Sequence, residues 1–161
     1  MKVICAITLD ELIDVLINLV EADGLEFEYE VNENVTTGNI EIYCKMFDLE
    51  FFITPLGAGP FYEDLLFTAF FSAYLDPEVL CNEFNNRHKF ASAVPSTIES
   101  EDGNDDDDCQ IIEVEKLVLL EGGVTDKHLE ATIKLWSGML MYAEQLFEGP
   151  TIEAADGDEP E

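Results

Sequence analysis

Histidine and cysteine are the side chains of this sequence that could serve as nucleophiles, general bases or soft metal ligands near neutral pH. The chain contains His88 and His128 and four cysteines, which are Cys5, Cys44, Cys81 and Cys109. Their spacing forms neither a zinc site nor a Cys-x-x-Cys pair. Hydrolase chemistry has no support because no nucleophile is paired with a base. We therefore predict no catalytic residues, no cofactor and no metal site.

Acidic residues are the other group that could bind a ligand. The sequence has 36 Asp and Glu against 7 Lys and Arg, a formal net charge of −29. The run at 101–108 could attract calcium, but its single glycine, Gly103, does not stand at the sixth position of an EF-hand loop. The twelfth position counted from Asp102 is Glu113, inside a predicted strand. A solvated loop is the prediction for this run, and weak, unselective binding of divalent cations is the alternative.

The acidic charge also limits the classes of partner. It repels nucleic acid and anionic membranes, and it favours basic partners, divalent cations or solubility alone. No run approaches the ~18 apolar residues of a membrane span, and the start of the chain lacks the uncharged core of a signal peptide. Cysteines without a pairing pattern suit a reducing compartment. We expect a cytoplasmic protein that binds another protein and neither nucleic acid directly nor a membrane.

Three amphipathic segments predict helices, and each begins at a side chain that can cap it. Thr8 and Glu11 form a capping box at the first helix, which ends at residues 23–24. The second begins at Asp76 and Pro77. The third is capped by residue 125 or 126, runs to about residue 147 and is stopped by residues 149–150.

Alternation of apolar and polar residues predicts the strands. Residues 25–31 alternate strictly, which is typical of a half-buried strand with one wet face. Further extended segments are predicted at 40–45, 49–54, 65–74, 90–98 and 111–120. The segment 65–74 is so apolar that a buried helix is the alternative.

These elements predict an α+β fold. An antiparallel sheet of five to six strands is flanked by three helices in the order α-β-β-β-β-α-β-β-α, and the helices cover one face of the sheet. We predict a single domain over residues 1–148 with an acidic loop at 99–109, followed by an acidic, disordered tail at 149–161.

The last predicted helix carries two apolar stripes. One consists of Leu129, Ile133, Trp136, Leu140, Ala143 and Phe147, and the other of Leu135, Met139, Tyr142 and Leu146. A helix that packs on one sheet needs an apolar arc of only about one third of its circumference. The wide arc indicates either deeper burial against the first helix or an exposed dimer or client interface. The candidate partner-binding or dimer residues are Leu135, Trp136, Met139, Tyr142 and Leu146.

Two segments resemble the YbjN-type family of sensory transduction regulators. Residues 80–93 resemble its N-x-(W/F)-N-x-x-x-(R/K)-F-x-x-A stretch, with Phe84 where Trp is common. Residues 117–125 and the helix after them resemble its strand, Gly-Gly-Val-Thr turn and final helix. The resemblance covers roughly residues 9–147. It implies a type III secretion chaperone-like fold that is often dimeric, with no activity established for the family as a whole.

The matching motif residues also have structural interpretations, and we predict that they determine the fold. Asn85 can bond local backbone near a helix end, Phe90 can anchor the next strand, and the glycines can supply positive φ in the turn. The motif residues are Asn82, Phe84, Asn85, Phe90, Gly122 and Gly123.

The prediction for function is a non-catalytic protein-binding module, chaperone-like or regulatory, that acts as a homodimer. The alternative is an acidic DNA mimic that occupies a nucleic-acid-binding protein, although much of the acid excess lies in the predicted loop and tail. An enzyme is the third hypothesis, and it would need an apolar pocket with convergent polar groups.

Overall fold

The computed structural model describes residues 2–24, 26–97 and 110–149. The elements in chain order are β1 (Val3–Ile4), α1 (Leu9–Asp23), β2 (Phe27–Glu33), β3 (Ile40–Met46), β4 (Leu49–Leu56), β5 (Asp64–Ser72), α2 (Pro77–Arg87), β6 (Ser92–Thr97), β7 (Gln110–Leu119), β8 (Val124–Thr125) and α3 (Asp126–Glu148). The predicted acidic loop at 99–109 and the predicted tail beyond Gly149 lie outside the described residues.

Six strands form one antiparallel sheet in the order β2-β3-β4-β5-β7-β6. With the three helices, this sheet confirms the predicted α+β fold. The small sheet formed by β1 and β8 was not predicted. It pairs Val3 with Thr125 and Ile4 with Val124, and pairing between residues so distant in sequence leaves no local pattern.

The helix starts follow the predicted capping residues. The Thr8 hydroxyl accepts a hydrogen bond from the Glu11 N–H at 3.2 Å, and the Glu11 carboxylate accepts one from the Thr8 N–H at 3.1 Å. Asp76 caps α2, and Thr125 caps α3 by accepting from the His128 N–H at 3.0 Å. Gly24 ends α1 in the left-handed conformation at φ 63°.

The core lies between the helices and one face of the large sheet. Trp136 of α3 is fully buried there, with its ring edge-on to Phe67 at 5.7 Å and to Phe51 at 6.3 Å between centroids. Every member of the first predicted stripe of α3 is buried with it. Burial of this stripe shows that α3 packs on the sheet, which both interpretations of the wide apolar arc require.

The prediction that the strand at 25–31 is half-buried was wrong, because most of its side chains are exposed. Residues 27–31 of this segment lie in β2, but the apolar residues Tyr29 and Val31 remain 41% and 39% exposed. They do lie on the helix-facing side, because they pair with the buried Cys44 and Ile42. Since β2 is an edge strand, the helical layer ends before it covers these side chains.

Candidate functional site

The predicted partner-binding residues of α3 do not share one exposed surface. Trp136 is fully buried and Met139 is 7% exposed, so these two are core residues and not surface contacts. Tyr142 and Leu146 are half-buried against the core. Leu135 alone of the five is well exposed, at 61%. The sequence could not separate these cases, because burial of the second stripe depends on how neighbouring elements pack on α3.

Three of the motif residues in or just after α2 stabilise the fold by contacts with other elements. Asn85 was predicted to bond local backbone near a helix end. Its side chain does bond backbone, but that of Ala93 in β6, donating from Nδ2 to the C=O and accepting at Oδ1 from the N–H. Phe84 is buried against Phe147, with ring centroids 5.4 Å apart. Phe90 is half-buried, packs against the core and lies 4.6 Å beneath the Lys116 ammonium.

The remaining motif residues behave differently from one another. Asn82 is exposed on α2. Gly122 and Gly123 have φ of 91° and 87°, as predicted, and a Cβ on Gly123 would stand 2.8 Å from Cγ1 of Val3. Gly123 therefore allows the turn before α3 to approach β1 closely.

His88, Cys44 and Cys81 pack among apolar or aromatic side chains. His88 lies between Phe84 and Tyr142, with ring centroids 4.9 and 4.6 Å away. Burial raises the pKa of Cys44 to about 12 and that of Cys81 to about 11, so both thiols stay protonated at neutral pH. Within the described residues, no group of three or more His, Cys, Asp or Glu side chains could hold a metal ion.

An apolar surface occurs instead on the side of the large sheet that faces away from the helices, which we call the open face. Strand register places the following apolar side chains together on it: Tyr43, Phe52, Leu66, Phe70, Leu117 and Leu119. Phe70 and Leu117 are each 47% exposed and Leu119 is 58% exposed. These side chains span β3, β4, β5 and β7, so the surface crosses four neighbouring strands.

The aromatic residues of the open face form a chain across three strands. The Tyr43 and Phe52 rings are 5.7 Å apart between centroids, and the Phe52 and Phe70 rings are 6.4 Å apart. Leu66 and Leu117 are direct cross-strand partners, which extends the apolar surface to β7. Such cross-strand contacts stabilise the sheet and hold these side chains beside one another.

Acidic side chains occupy many of the other positions of the open face. They are Glu28, Glu30, Glu41, Glu50, Asp64, Glu113 and Glu115. Within the described strands, Lys45 is the one cation on this face. A hydrogen bond to the Glu50 carboxylate raises the pKa of Tyr43, since loss of the tyrosine proton would place two negative charges together. The open face is therefore apolar at its centre and negative around it.

This surface was not predicted, although the sequence carries a signal for it. Residues 65–67 in β5 and 117–119 in β7 are unbroken apolar runs inside strands. Since successive strand residues point to opposite faces, such runs make both faces of the sheet apolar. They are typical of a sheet that is covered on both sides.

Comparisons with known proteins show a likeness of fold to a solved structure. No protein-family model matches the chain, and no curated protein matches it. Among solved structures, the chain is similar to the crystal structure of YbjN from E. coli, a candidate transcription regulator. The two share 15% identity with a TM-score of 0.49, over 81% of this chain and 87% of that one. This likeness concerns the fold, and membership of the YbjN family stays a prediction.

No helix among the described residues is both long enough and apolar enough to cross a membrane.

Proposed function

We propose that this chain is a non-catalytic protein-binding module that holds its partner on the open face. The observation that carries the proposal is the two-sided apolar character of β5 and β7. An antiparallel sheet with one solvated face ordinarily alternates apolar and polar residues, and the segments 65–67 of β5 and 117–119 of β7 do not. Contiguous exposed apolar surface of this kind is typical of interaction sites.

Charge complementarity selects the partner. The acids around the apolar centre oppose a second acidic surface and attract a basic one. We therefore propose a partner protein whose contact surface has apolar anchors at its centre and Lys or Arg at its rim. The anchors supply most of the affinity by desolvation, while the charges mainly set the association rate and exclude wrong partners.

The homodimer predicted from the sequence is a separate proposal. Two open faces brought together by a two-fold axis would place acid against acid, which disfavours this face as the dimer surface. Leu135 on α3 is the exposed residue around which a dimer contact would form instead. Light scattering at micromolar concentration tests this, and a monomeric mass would contradict the homodimer without affecting the open face.

A DNA mimic requires carboxylates arrayed on a rigid surface like phosphates. The acids of the open face instead surround apolar side chains, so their arrangement suits a protein interface better. A captured partner that is released by duplex DNA would reverse this preference.

Site-specific photo-crosslinking tests the proposal. A photoreactive phenylalanine analogue replaces Phe70 on the open face in one variant and Leu135 on α3 in another. We expect a discrete adduct at position 70, and the adducted protein, once identified and purified, must bind the chain directly. A discrete adduct at position 135 alone would refute the open face as the binding site.

A further inference from the structure

The two edges of the large sheet differ in how their backbone groups are satisfied. At β6, the Asn85 side chain bonds both the N–H and the C=O of Ala93, each at 2.8 Å. Pro95 has no N–H to offer, and α2 packs beside the strand. At β2, no hydrogen bond from another described residue reaches the outer side of the strand. Among the residues that the structure describes, the β6 edge is therefore closed and the β2 edge is free.

The pairing pattern identifies which groups of β2 point outward. The Asn34 N–H donates to the Asn39 C=O at 2.8 Å at the end of the β2–β3 hairpin. Hydrogen-bonded and non-bonded pairs alternate along an antiparallel ladder. Phe27, Tyr29 and Val31 therefore occupy the non-bonded pairs, and their N–H and C=O groups are directed away from β3.

The side chains of β2 alternate in character as well. Phe27, Tyr29 and Val31 extend the helix-facing side of the sheet beyond the core, and the Phe27 and Tyr29 rings stack 6.0 Å apart. Glu28 and Glu30 lie on the opposite side and are exposed. The free edge thus presents apolar side chains on one side and carboxylates on the other.

We propose that the free edge of β2 is an acceptor site for a partner strand that alternates apolar and basic residues. The backbone of the added strand would bond the outward N–H and C=O groups of β2. Its apolar side chains would lie beside Tyr29 and Val31, and its Lys or Arg side chains beside Glu28 and Glu30. This site is distinct from the apolar centre of the open face, and it exists whether or not that face binds a protein.

Charge repulsion disfavours pairing of the β2 edge with a segment of this protein, whether from the same molecule or from a second copy. A second copy of β2 would place Glu beside Glu across the new pairing, and like charges directly opposite destabilise strand pairs. Residues 98–109 and 150–161 are acidic in sequence, so either segment would meet the same repulsion. Acidic side chains on an edge strand disfavour pairing with another acidic strand but permit pairing with a basic one.

Three synthetic peptides, each as long as the 7 residues of β2, test the proposal on the full chain. One alternates Val and Lys, the second has the same composition with its Val and Lys in separate blocks, and the third alternates Val and Glu. Amide hydrogen exchange read by NMR reports the site directly. We expect the first peptide to slow exchange at Phe27, Tyr29 and Val31, and to bind on the order of tenfold more tightly than the others.

Three variants complete the test. Val31→Pro removes one outward donor without touching the β3 ladder, and Glu28→Lys with Glu30→Lys should transfer the preference to the Val/Glu peptide. Leu117→Ser, on the open face, should leave peptide binding unchanged. The proposal would be overturned if the two Val/Lys peptides bound equally well, or if Val31→Pro left binding unchanged. It would also be overturned if, without any peptide, protection of these amides increased with the concentration of the protein, because the edge would then pair with a second copy. Because Leu117→Ser separates the two surfaces, failure here leaves the open face untouched.

Discussion

Asn85 of α2 and Ala93 of β6 are joined by a pair of hydrogen bonds. The side-chain N–H of Asn85 donates to the Ala93 C=O, and its side-chain oxygen accepts from the Ala93 N–H, both at 2.8 Å. The same two atoms of Ala93 would otherwise be unpaired at the edge of the sheet. Asn85 therefore fastens a helix to a strand and closes one edge of the sheet at the same time.

Asn85→Ala should lower the free energy of unfolding by about 1–3 kcal/mol, because both bonds are lost and the Ala93 groups are left without a protein partner. Asn82→Ala is the matched control, since Asn82 lies on the same helix and is exposed. Urea unfolding followed by circular dichroism measures both. Similar losses for the two variants would show that the pair of bonds is not what stabilises this edge.

Trp136 and Leu135 are neighbours in sequence with opposite environments, fully buried and 61% exposed. Trp136→Ala should destabilise the chain by about 3–5 kcal/mol, because it opens a cavity against Phe51 and Phe67. Leu135→Ala should change stability by no more than ~0.5 kcal/mol. Chemical unfolding of both variants checks the placement of α3, and a large loss for Leu135→Ala would mean that this helix is rotated.

The Glu11 carboxylate takes part in the α1 cap and also bonds Lys2, the residue before β1. A hydrogen bond from Lys2 at 2.6 Å, followed by the Thr8 N–H, lowers the pKa of Glu11 below its ordinary value of 4.5. A lowered pKa in the folded chain means that Glu11 contributes its full stability above pH 4.5 and loses it as the pH falls through the lower folded value. The Tm of the wild type should exceed that of Glu11→Gln at pH 7, and this gap should close on acidification.

Glu21→Gln is the control for that comparison, because it removes the same charge from the exposed far end of α1. Since an acid near a helix C-terminus is unfavourable, this variant should not lower Tm at pH 7. If Glu11→Gln and Glu21→Gln followed one pH profile, net charge and not the cap would explain the effect.

Local features of the sequence were sufficient to predict much of the fold. The Thr8–Glu11 box, the Asp76 and Thr125 caps and the positive φ of Gly122 are set by residues a few positions apart. Period-two alternation predicted the strands at 25–31 and 40–45, since it depends only on which side chains face the helices. The strand at 65–74 was predicted from its apolar content instead.

Features that depend on distant packing escaped prediction. The β1–β8 pairing joins residues more than a hundred positions apart, the exposure of β2 follows from where the helical layer ends, and the burial of Met139 follows from how neighbouring elements pack on α3. The open face was in principle predictable, because the apolar run at 65–67 cannot be buried by helices on one side alone.

The open face as a protein interface is tested most directly by equilibrium binding of the partner captured at position 70. Leu117→Ser changes the open face and Leu135→Ser changes α3, so the two variants remove the same side chain from opposite layers. If the open face is the interface, Leu117→Ser should bind the partner at least ~tenfold more weakly, and Leu135→Ser should bind within about twofold of the wild type. Binding of the wild type should also weaken as the salt concentration is raised. Unchanged affinity for Leu117→Ser, with a loss for Leu135→Ser, would contradict this proposal and assign the interface to α3.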